Sequence, residues 1–388
     1  MRRLRTLSSR RLTAIVAAVA LLAASAAIAQ AGLIGSEPKP EPKALDRAIL
    51  DAVNAPAVEG VSARITFANG LLPSGSLPGG SASPLAAGAD GRLWMAGDGR
   101  FRLELQSEAG DAQIASDGRT LSVYDASAKT DYRVALPEQR PAGEARREPA
   151  TLADVRRGLD RLARAWTLSG AEPTSTGGRP TYTVRIAPKD DGGLLGAGEL
   201  AWDAVKGVPL RAAVYAQDQS DPVLELAATE VSFGKVSDDA LQLAVPAGTR
   251  SVSVDPPAGG AKHRDGGAGV AGVDAVQREV GFRLAAPREL AGLPRKEVRL
   301  VRLGEQKGAL SAYGEGLGGI LVFQHEAGEQ KPADSGSGLP QINIDGATGT
   351  ELATALGTMV TFERGGVSYT VLGSVPPAAV ENAARGLR

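Results

Sequence analysis

Apolar and polar residues alternate one by one in several segments of the chain after residue 60. Every second side chain is apolar in residues 61–67, and residues 101–105 repeat the pattern. This two-residue period is that of a β-strand with one apolar face. Between the next two strand-like runs, Asp117 and Gly118 predict a tight hairpin turn, because such turns require positive φ angles. Consecutive strands are therefore expected to pair antiparallel.

Further segments carry the same strand pattern, and together they predict a mainly β protein of α+β character. In the first half the predicted strands are residues 132–136, 182–186, 199–202, 210–215 and 223–233. In the second half they are residues 298–303, 308–313, 319–323, 358–364 and 367–372. The last two are predicted to form a hairpin at Gly365 and Gly366.

Three segments show the three- to four-residue period of an amphipathic helix. They are residues 44–53, residues 151–166 and residues 376–387. In the second helix Thr151 can act as the N-cap, and Asp154 lies in the first turn, where a negative charge suits the helix dipole. Its arginine-rich face is predicted to meet solvent while its apolar stripe lies on the sheet. The alternative is that this helix only completes a core.

The N-terminus has the pattern of a secretory signal. Five arginines precede an apolar run at residues 12–28, and the first acidic residue is Glu37. Arginines stay on the cytoplasmic side of a membrane, so the rest of the chain is expected to be extracytoplasmic. Small-x-small sites ending at Ala29 and Ala31 favour cleavage, whereas the full apolar run nearly reaches the ~20 residues of a membrane anchor. The segment is thus either a signal peptide or an anchor.

The chain is predicted to contain two folded domains joined by a linker. Residues 1–35 are the signal peptide or anchor, and residues 36–43 are a spacer rich in proline and lysine. Residues 44–250 carry the first set of strands and residues 273–388 the second, which suits the ~100–200 residues of an average domain. Residues 251–272 are rich in glycine and proline and have little apolar surface to bury, so a mobile tether is expected there.

The charge balance and the absence of cysteine exclude several classes of function for this chain. The 43 Lys+Arg balance 44 Asp+Glu, and no basic face with interleaved aromatics is predicted, so nucleic-acid binding is not expected. The chain has no cysteine, which excludes zinc thiolate sites, cysteine nucleophiles and disulfides. Packed sheets and helices must therefore supply the stability.

No motif of the chain predicts catalysis, a metal or a cofactor. Residues 314–319 match the Gly-x-Gly-x-x-Gly string of dinucleotide sites, but an apolar β-like run follows where a helix is required, so a turn is expected. Residues 346–350 lack the ending of a P-loop and are also predicted to be a turn. The two histidines, His263 and His325, stand in no triad or metal motif. No enzyme activity is therefore expected.

The order of helix, long run of strands and capping helix resembles the LolA-like superfamily over about residues 44–250. The resemblance is carried by residues 91–94, 100–106, 116–118, 121–125 and 209–211. That superfamily includes outer-membrane lipoprotein carriers and related mycobacterial and actinobacterial lipid-binding lipoproteins. It implies a curved antiparallel half-barrel with capping helices, whose apolar face holds the acyl chains of a lipid or lipoprotein. The main functional hypothesis is accordingly an exported, non-catalytic binding protein.

The resemblance implies nine candidate residues for the acyl-chain cavity or the two faces of the sheet. They are Phe67, Trp94, Phe101, Leu103, Val123, Tyr124, Tyr132, Trp202 and Tyr215. Which of them line the cavity stays open, because shifting the register of a strand by one residue exchanges its faces. Residues 69–88 depart from the family pattern as an expanded loop, and no segment matches the residues that transfer cargo to an acceptor.

The second domain is similar to the small α+β domains of extracytoplasmic sigma-factor regulators, whose ends also run strand, Tyr-x-Val, glycine and helix. Here Tyr369, Val371 and Gly373 precede the last predicted helix. A half-barrel joined to such a domain resembles RseB-type regulators of envelope stress. This resemblance implies an alternative function, in which the protein senses a signal and contacts a membrane protein such as an anti-sigma factor. Nothing in the sequence indicates the oligomeric state.

Overall fold

The computed structural model describes most of the chain after residue 36. The described residues are 37–71, 84–108, 110–126, 129–136, 149–189, 193–243, 245–254, 270–303, 306–328 and 339–388. The predicted signal or anchor segment and most of the predicted linker lie outside them. None of the described helices is long and apolar enough to cross a membrane. The chain divides into two compact units, the first with the strands up to Val254 and the second with the strands from Glu289 onward.

The first unit is built from strands with four short helices in its described part. The helices are α1 (Leu45–Asn54), α2 (Pro84–Ala87), α3 (Leu152–Leu162) and α4 (Asp238–Leu241). The strands are β1 (Gly60–Asn69), β2 (Ala89–Ala96), β3 (Phe101–Ser107), β4 (Gly110–Ser116), β5 (Thr120–Asp125), β6 (Thr130–Ala135), β7 (Trp166–Leu168), β8 (Glu172–Thr176), β9 (Arg179–Pro188), β10 (Leu195–Asp203), β11 (Pro209–Ala216), β12 (Leu224–Phe233) and β13 (Arg250–Val254).

These thirteen strands form one curled, mainly antiparallel half-barrel sheet, as the fold prediction required. Its order is β13-β6-β5-β4-β3-β2-β1-β12-β11-β10-β9-β7, and β8 pairs β9 outside this path. The sheet depends on the long-range pairing of β1 with β12, which no local pattern predicts. At one edge β13 pairs β6 in parallel. Residues 251–254, predicted to begin the linker, therefore belong to the sheet.

The predicted hairpin between β4 and β5 is confirmed. The carboxylate of Asp117 accepts the backbone N–H groups of Arg119 and Thr120 at 2.7 and 2.6 Å. These hydrogen bonds lower the pKa of Asp117. Gly118 has a φ of 88°, which residues with a Cβ rarely adopt.

Helix α3 differs from its prediction in its length and in the surface that it covers. Thr151 and Asp154 form the capping box, in which the Thr151 hydroxyl accepts the Asp154 N–H at 3.2 Å. The helix ends earlier than predicted, and Trp166 begins β7. Its main packing partner is α1, where Arg156 pairs with Asp46 at 2.8 Å. The prediction laid the apolar stripe of this helix on the sheet, whereas the main contact that the structure shows is with α1.

The second unit is an antiparallel sheet of eight strands with two helices in its described part. The helices are α5 (Val273–Gln277) and α6 (Pro377–Gly386). The strands are β14 (Glu289–Leu290), β15 (Leu293–Leu303), β16 (Gln306–Tyr313), β17 (Ile320–Glu326), β18 (Gln341–Ile344), β19 (Ala347–Thr354), β20 (Gly357–Arg364) and β21 (Val367–Gly373). The sheet order is β14-β15-β16-β17-β21-β20-β19-β18.

One face of this second sheet forms a core with α5, α6 and the segment that follows α5. Its fully buried members include Val276, Val322, Val360, Val371, Val380 and Leu387. The buried Gln324 side chain joins the sheet to that segment, because it donates to the Ala285 carbonyl at 2.8 Å and accepts the Ala285 N–H at 2.9 Å. The predicted last helix is thus a structural part of this core.

The two glycine-rich strings of the second unit have different structures. Residues 314–319 join β16 to β17 as the predicted turn. The prediction of a turn at residues 346–350 is wrong beyond Gly346, which has a φ of 90°. Ala347 begins β19, which is hydrogen-bonded to β18 on one side and β20 on the other. The small and polar residues of this strand lack the apolar alternation that would predict a strand. Its hydrogen bonds to the two neighbouring strands hold it in the sheet.

Candidate functional site

The register of the first sheet sorts its side chains onto two faces. Phe67 lies opposite Leu226, and Leu226 lies opposite Ala212, so these three side chains share one face. Helices α1 and α2 pack on that face. We call it the covered face, and the other side of the same sheet the opposite face. The covered face is the candidate functional site.

Helix α1 lies over the β9 to β11 end of the covered face. Ala48 is buried there in a cluster with Tyr182, Leu200 and Trp202. The rings of Tyr182 and Trp202 are tilted, with centroids 6.2 Å apart. The hydroxyl of Tyr182 donates to the Glu41 carbonyl at 2.6 Å, which holds the segment before α1 on the same strands. A small residue of the helix therefore meets large side chains of the sheet.

Helix α2 lies over the middle of the covered face, close to β1, β3 and β4. Its Leu85 packs against a cluster that includes the buried Phe67 and Leu105. The Asn69 side chain donates to the Leu85 carbonyl at 2.9 Å and ties the helix to the end of β1. Part of the segment predicted to be an expanded loop is thus this short helix, and residues 72–83 lie outside the described residues.

The covered face continues beyond these clusters over β3 to β6, where its apolar side chains stay partly exposed. Cross-strand pairing aligns them, with Leu103 opposite Ile114, Ile114 opposite Val123 and Val123 opposite Tyr132. We call this set the apolar strip. Its members are Phe101, Leu103, Ile114, Leu121, Val123, Tyr132 and Val134. Tyr132 is 38% exposed. The strip is an apolar surface that folding leaves accessible.

The nine residues predicted for the cavity or the sheet faces divide between the two faces. Phe67, Phe101, Leu103, Val123, Tyr132 and Trp202 lie on the covered face. Trp94, Tyr124 and Tyr215 lie on the opposite face. The sequence analysis missed Ile114, Leu121 and Val134, whose place follows from their strand partners once the hairpin register is known.

Part of the opposite face carries a network of paired charges. Arg211 contacts both Glu199 and Glu225, and the Tyr215 hydroxyl donates to Glu199 at 2.9 Å. The Arg185 guanidinium lies 4.2 Å from the centroid of the Tyr215 ring. Burial alone would raise the pKa of Glu199, but the hydrogen bonds from Arg211, Arg185 and Tyr215 outweigh it and the pKa is lowered. This network fixes the strands and is poorly suited to an apolar ligand.

Two clefts also lie on the opposite face, and charged side chains line part of each of them. The one between β1, β2 and β3 has a volume of about 600 Å³ and is lined by Arg64, Arg92, Asp90 and Glu104 among others. The other, of about 430 Å³, lies between β4 to β6 and α4. The aromatic Trp94 is covered on this side by the Arg102 guanidinium, 5.7 Å from its ring.

Histidine, aspartate and glutamate are the residues of this chain that could together hold a metal ion. Among them, no three His, Cys, Asp or Glu side chains are grouped to hold a metal ion. His325 packs on the Phe323 ring with centroids 5.2 Å apart, and its Nδ1 lies 2.9 Å from the Glu326 carbonyl oxygen. His263 lies outside the described residues. The covered face can bind a ligand by burying the ligand's apolar surface.

No known protein family matches this sequence, and no curated protein matches it. Several solved structures are similar in fold. MucB in complex with MucA(peri) has 15% identity and a TM-score of 0.41, with 89% of this chain and 97% of that chain covered. The Pseudomonas aeruginosa MucA/MucB complex has 17% identity and a TM-score of 0.41, with 87% of this chain and 95% of that chain covered. A LolA superfamily protein from Nitrosomonas europaea has 13% identity and a TM-score of 0.21, with 52% of this chain and 98% of that chain covered. The solved structures that are similar to this chain thus include a LolA superfamily protein and MucB.

Proposed function

We propose that this chain is an exported, non-catalytic binding protein that holds the acyl chain of a lipid or lipoprotein on the covered face of its first unit. The observation that supports this proposal is the apolar strip, which leaves aligned apolar side chains of four strands partly exposed. Exposing apolar side chains to water is unfavourable, and contiguous exposed apolar surface in a folded protein commonly marks a binding site. Charged side chains occupy the other face of the same strands, so only one side suits an apolar ligand.

The energy for such binding comes from apolar area alone. Each methylene group that leaves water contributes roughly 0.8 kcal/mol, so a chain of a dozen carbons needs no catalytic or charged partner. The strip continues into the clusters under α2 and α1 through Leu103, Phe67 and Leu226. An extended chain can therefore lie across the strands along one continuous apolar face.

A pair of neighbouring substitutions tests the proposal. Val123 and Ser122 are adjacent in β5, partly exposed and on different faces. Val123→Asp places a charge in the apolar strip, whereas Ser122→Asp places the same charge on the polar face. We expect native mass spectrometry of protein purified from its own envelope to show bound lipid in the wild type and in Ser122→Asp, and loss of it in Val123→Asp.

Two results would contradict the proposal. One is the absence of any co-purifying lipid together with no displacement of a bound fluorescent fatty acid from the wild type. The other is equal lipid content in the two variants, which would place the ligand elsewhere. The export of the chain is tested separately, by fractionating cells that express the full sequence and locating the protein with an antibody.

A second candidate function is that of a sensor that contacts a membrane protein such as an anti-sigma factor. The observation that favours it is an apolar row on the uncovered face of the second unit. Cross-strand pairing aligns Ala312, Leu321, Leu372, Met359 and Leu352. Leu321 and Leu372 are each 38% exposed. An exposed apolar row with polar neighbours is a feature of protein interaction sites.

Substitutions of two leucines with nearly the same exposure test this second function. Leu321 lies in the apolar row, whereas Leu317, 40% exposed, lies in the turn between β16 and β17. We expect crosslinking in the native envelope to recover a specific membrane protein with the wild type and with Leu317→Glu. The yield is expected to fall with Leu321→Glu. Recovery of no membrane protein, or equal recovery by both variants, would contradict the sensor role.

A further inference from the structure

Trp202 carries a hydrogen-bond donor that the fold does not use. The residue is 5% exposed, and its indole Nε1 has no hydrogen-bond partner. The other buried polar side-chain atoms without a partner among the described residues are those of Arg102, Asp131, Ser311, Tyr313 and Glu351. None of these belongs to the covered face, since the first two lie on the opposite face and the others in the second unit. Within the described residues, the Trp202 indole is thus the unpaired buried donor of the candidate site.

The surroundings of Trp202 explain why its N–H is unpaired. It clusters with Val184, Leu200, Ala212 and Ala48, whose side chains contain no acceptor. The remaining polar group of the cluster is the Tyr182 hydroxyl, and it donates to the Glu41 carbonyl. A phenylalanine would fill an apolar core without leaving a donor unpaired. Buried polar groups in proteins are nearly always hydrogen-bonded, so this indole is a position at which a bound ligand can supply the missing acceptor.

The element that covers Trp202 is helix α1, which packs on the cluster through Leu45, Ala48, Ile49 and Ala52 and makes polar contacts at its ends. Helix α1 has no side-chain N-cap. Its ends are joined to neighbours by the Lys43–Asp51 and Asp46–Arg156 pairs and by two hydrogen bonds between Asn54 and the Ala150 backbone. Exposed ion pairs contribute little to stability. A ligand that reaches the indole must therefore displace α1, and its apolar chain would then replace the contacts that the helix makes with this cluster.

We propose that the Trp202 indole N–H binds the carbonyl oxygen of the ligand's acyl group, an ester or an amide, when α1 is displaced. The inference rests on the proposed function of the covered face and adds the chemical class of its ligand. The carbonyl marks the head of the acyl chain. From there the hydrocarbon follows the cross-strand row Ala212, Leu226 and Phe67. A donor that is unpaired in the free protein gains a full hydrogen bond on binding, so the site distinguishes acyl from alkyl chains.

Two lipids that differ only in the carbonyl test this inference. Acyl lysophosphatidylcholine and its 1-O-alkyl ether analogue have the same headgroup, and chains of one length can be compared. We expect the full-length wild type to bind the acyl lipid about fivefold more tightly, the factor that one net hydrogen bond supplies. Trp202→Phe is expected to bind the two lipids equally. The control Trp94→Phe removes an indole of the opposite face and is expected to keep the preference.

A second variant separates loss of the donor from loss of packing. In a Trp94→Phe, Trp166→Phe background, Trp202 is the only tryptophan left, because the chain has three. Biosynthetic replacement by benzothienylalanine keeps the size of the ring and removes the N–H, and the preference for the acyl lipid is expected to disappear. In the same background with tryptophan at 202, the acyl lipid is expected to shift the fluorescence to longer wavelength, and the ether lipid is not.

The outcomes distinguish this inference from the proposed function. Binding of neither lipid to the wild type overturns the proposed function itself. Equal binding of both lipids to the wild type leaves the proposed function standing and overturns the role of Trp202. A preference that survives in both Trp202→Phe and the benzothienylalanine protein overturns it as well, because the carbonyl would then have another partner.

Discussion

Two buried tyrosines show how much a hydroxyl group depends on its partners. In the first unit, the Tyr215 hydroxyl accepts from Arg211 at 3.1 Å and donates to Glu199 at 2.9 Å. In the second unit, the Tyr313 hydroxyl is buried and has no hydrogen-bond partner. Burial raises the pKa of Tyr313 to about 12, although the nearby charge of Arg295 opposes the shift. A paired hydroxyl stabilises the fold, whereas an unpaired one has a desolvation cost.

The same substitution is therefore expected to have opposite effects at these two sites. Tyr215→Phe should lower the free energy of unfolding by about 1 kcal/mol, because it leaves charged groups without a hydrogen bond. Tyr313→Phe should leave it unchanged or raise it by about 1 kcal/mol, because it removes a buried polar group without a partner. Urea unfolding measures both. Equal destabilisation by the two variants would show that the Tyr313 hydroxyl has a partner.

Individual elements of this protein are short, and their ends decide how firmly they are held. Helix α3 has eleven residues and a complete capping box from Thr151 and Asp154. Helix α4 has four residues, and its N-cap Ser237 makes no side-chain hydrogen bond to the helix. A short helix is marginal in water. Packing and caps must therefore stabilise such elements.

Thr151→Ala is expected to lower the free energy of unfolding by about 1 kcal/mol, the usual cost of losing an N-cap. Ser237→Ala is the matched control, since its side chain caps nothing, and a change within about 0.5 kcal/mol is expected. Thermal or urea unfolding of each variant measures the difference. Equal loss in both would mean that the capping box contributes nothing to stability.

The whole molecule consists of two units, each with its own sheet and core. In the first sheet, the pairing of β1 with β12 joins the strands β2 to β6 to the strands β9 to β11. At its edge, Arg250 lies in β13 opposite Thr130 of β6, and its N–H donates to the Lys129 carbonyl at 3.0 Å. Residues 255–269, the centre of the predicted linker, lie outside the described residues.

Brief trypsin treatment is expected to cut the chain at Lys262 or Arg264, within the predicted linker, and to release two resistant fragments. Arg250 is another basic residue next to the predicted linker, but its strand pairing should protect it from trypsin, because a protease needs an extended, unpaired segment. Mass spectrometry of the fragments identifies the cut. Resistance at Lys262 and Arg264 together with one cooperative unfolding transition would contradict the division into two separately folding domains.

Local pattern was enough to predict what depends on neighbouring residues. The two-residue alternation of residues 61–67 and 101–105 predicts strands because it reflects the pleat itself. Asp117 and Gly118 predict their hairpin because the turn needs a positive φ and a side-chain acceptor within three residues. The same is true of the N-cap that Thr151 was predicted to form. In each case the physical cause lies within a few residues of the effect.

Tertiary structure decided what depends on residues far apart in the chain. The pairing of β1 with β12 and of β13 with β6 joins distant segments, so periodicity carries no information about it. It was this register, and not residue type, that placed Trp202 on the covered face and Trp94 on the opposite one. The sequence by itself determined the strands in which apolar and polar residues alternate, but it did not reveal β13 or β19. Only the folded sheet decided which side chains meet, because the register between strands that are distant in the chain sets which side chains share a face.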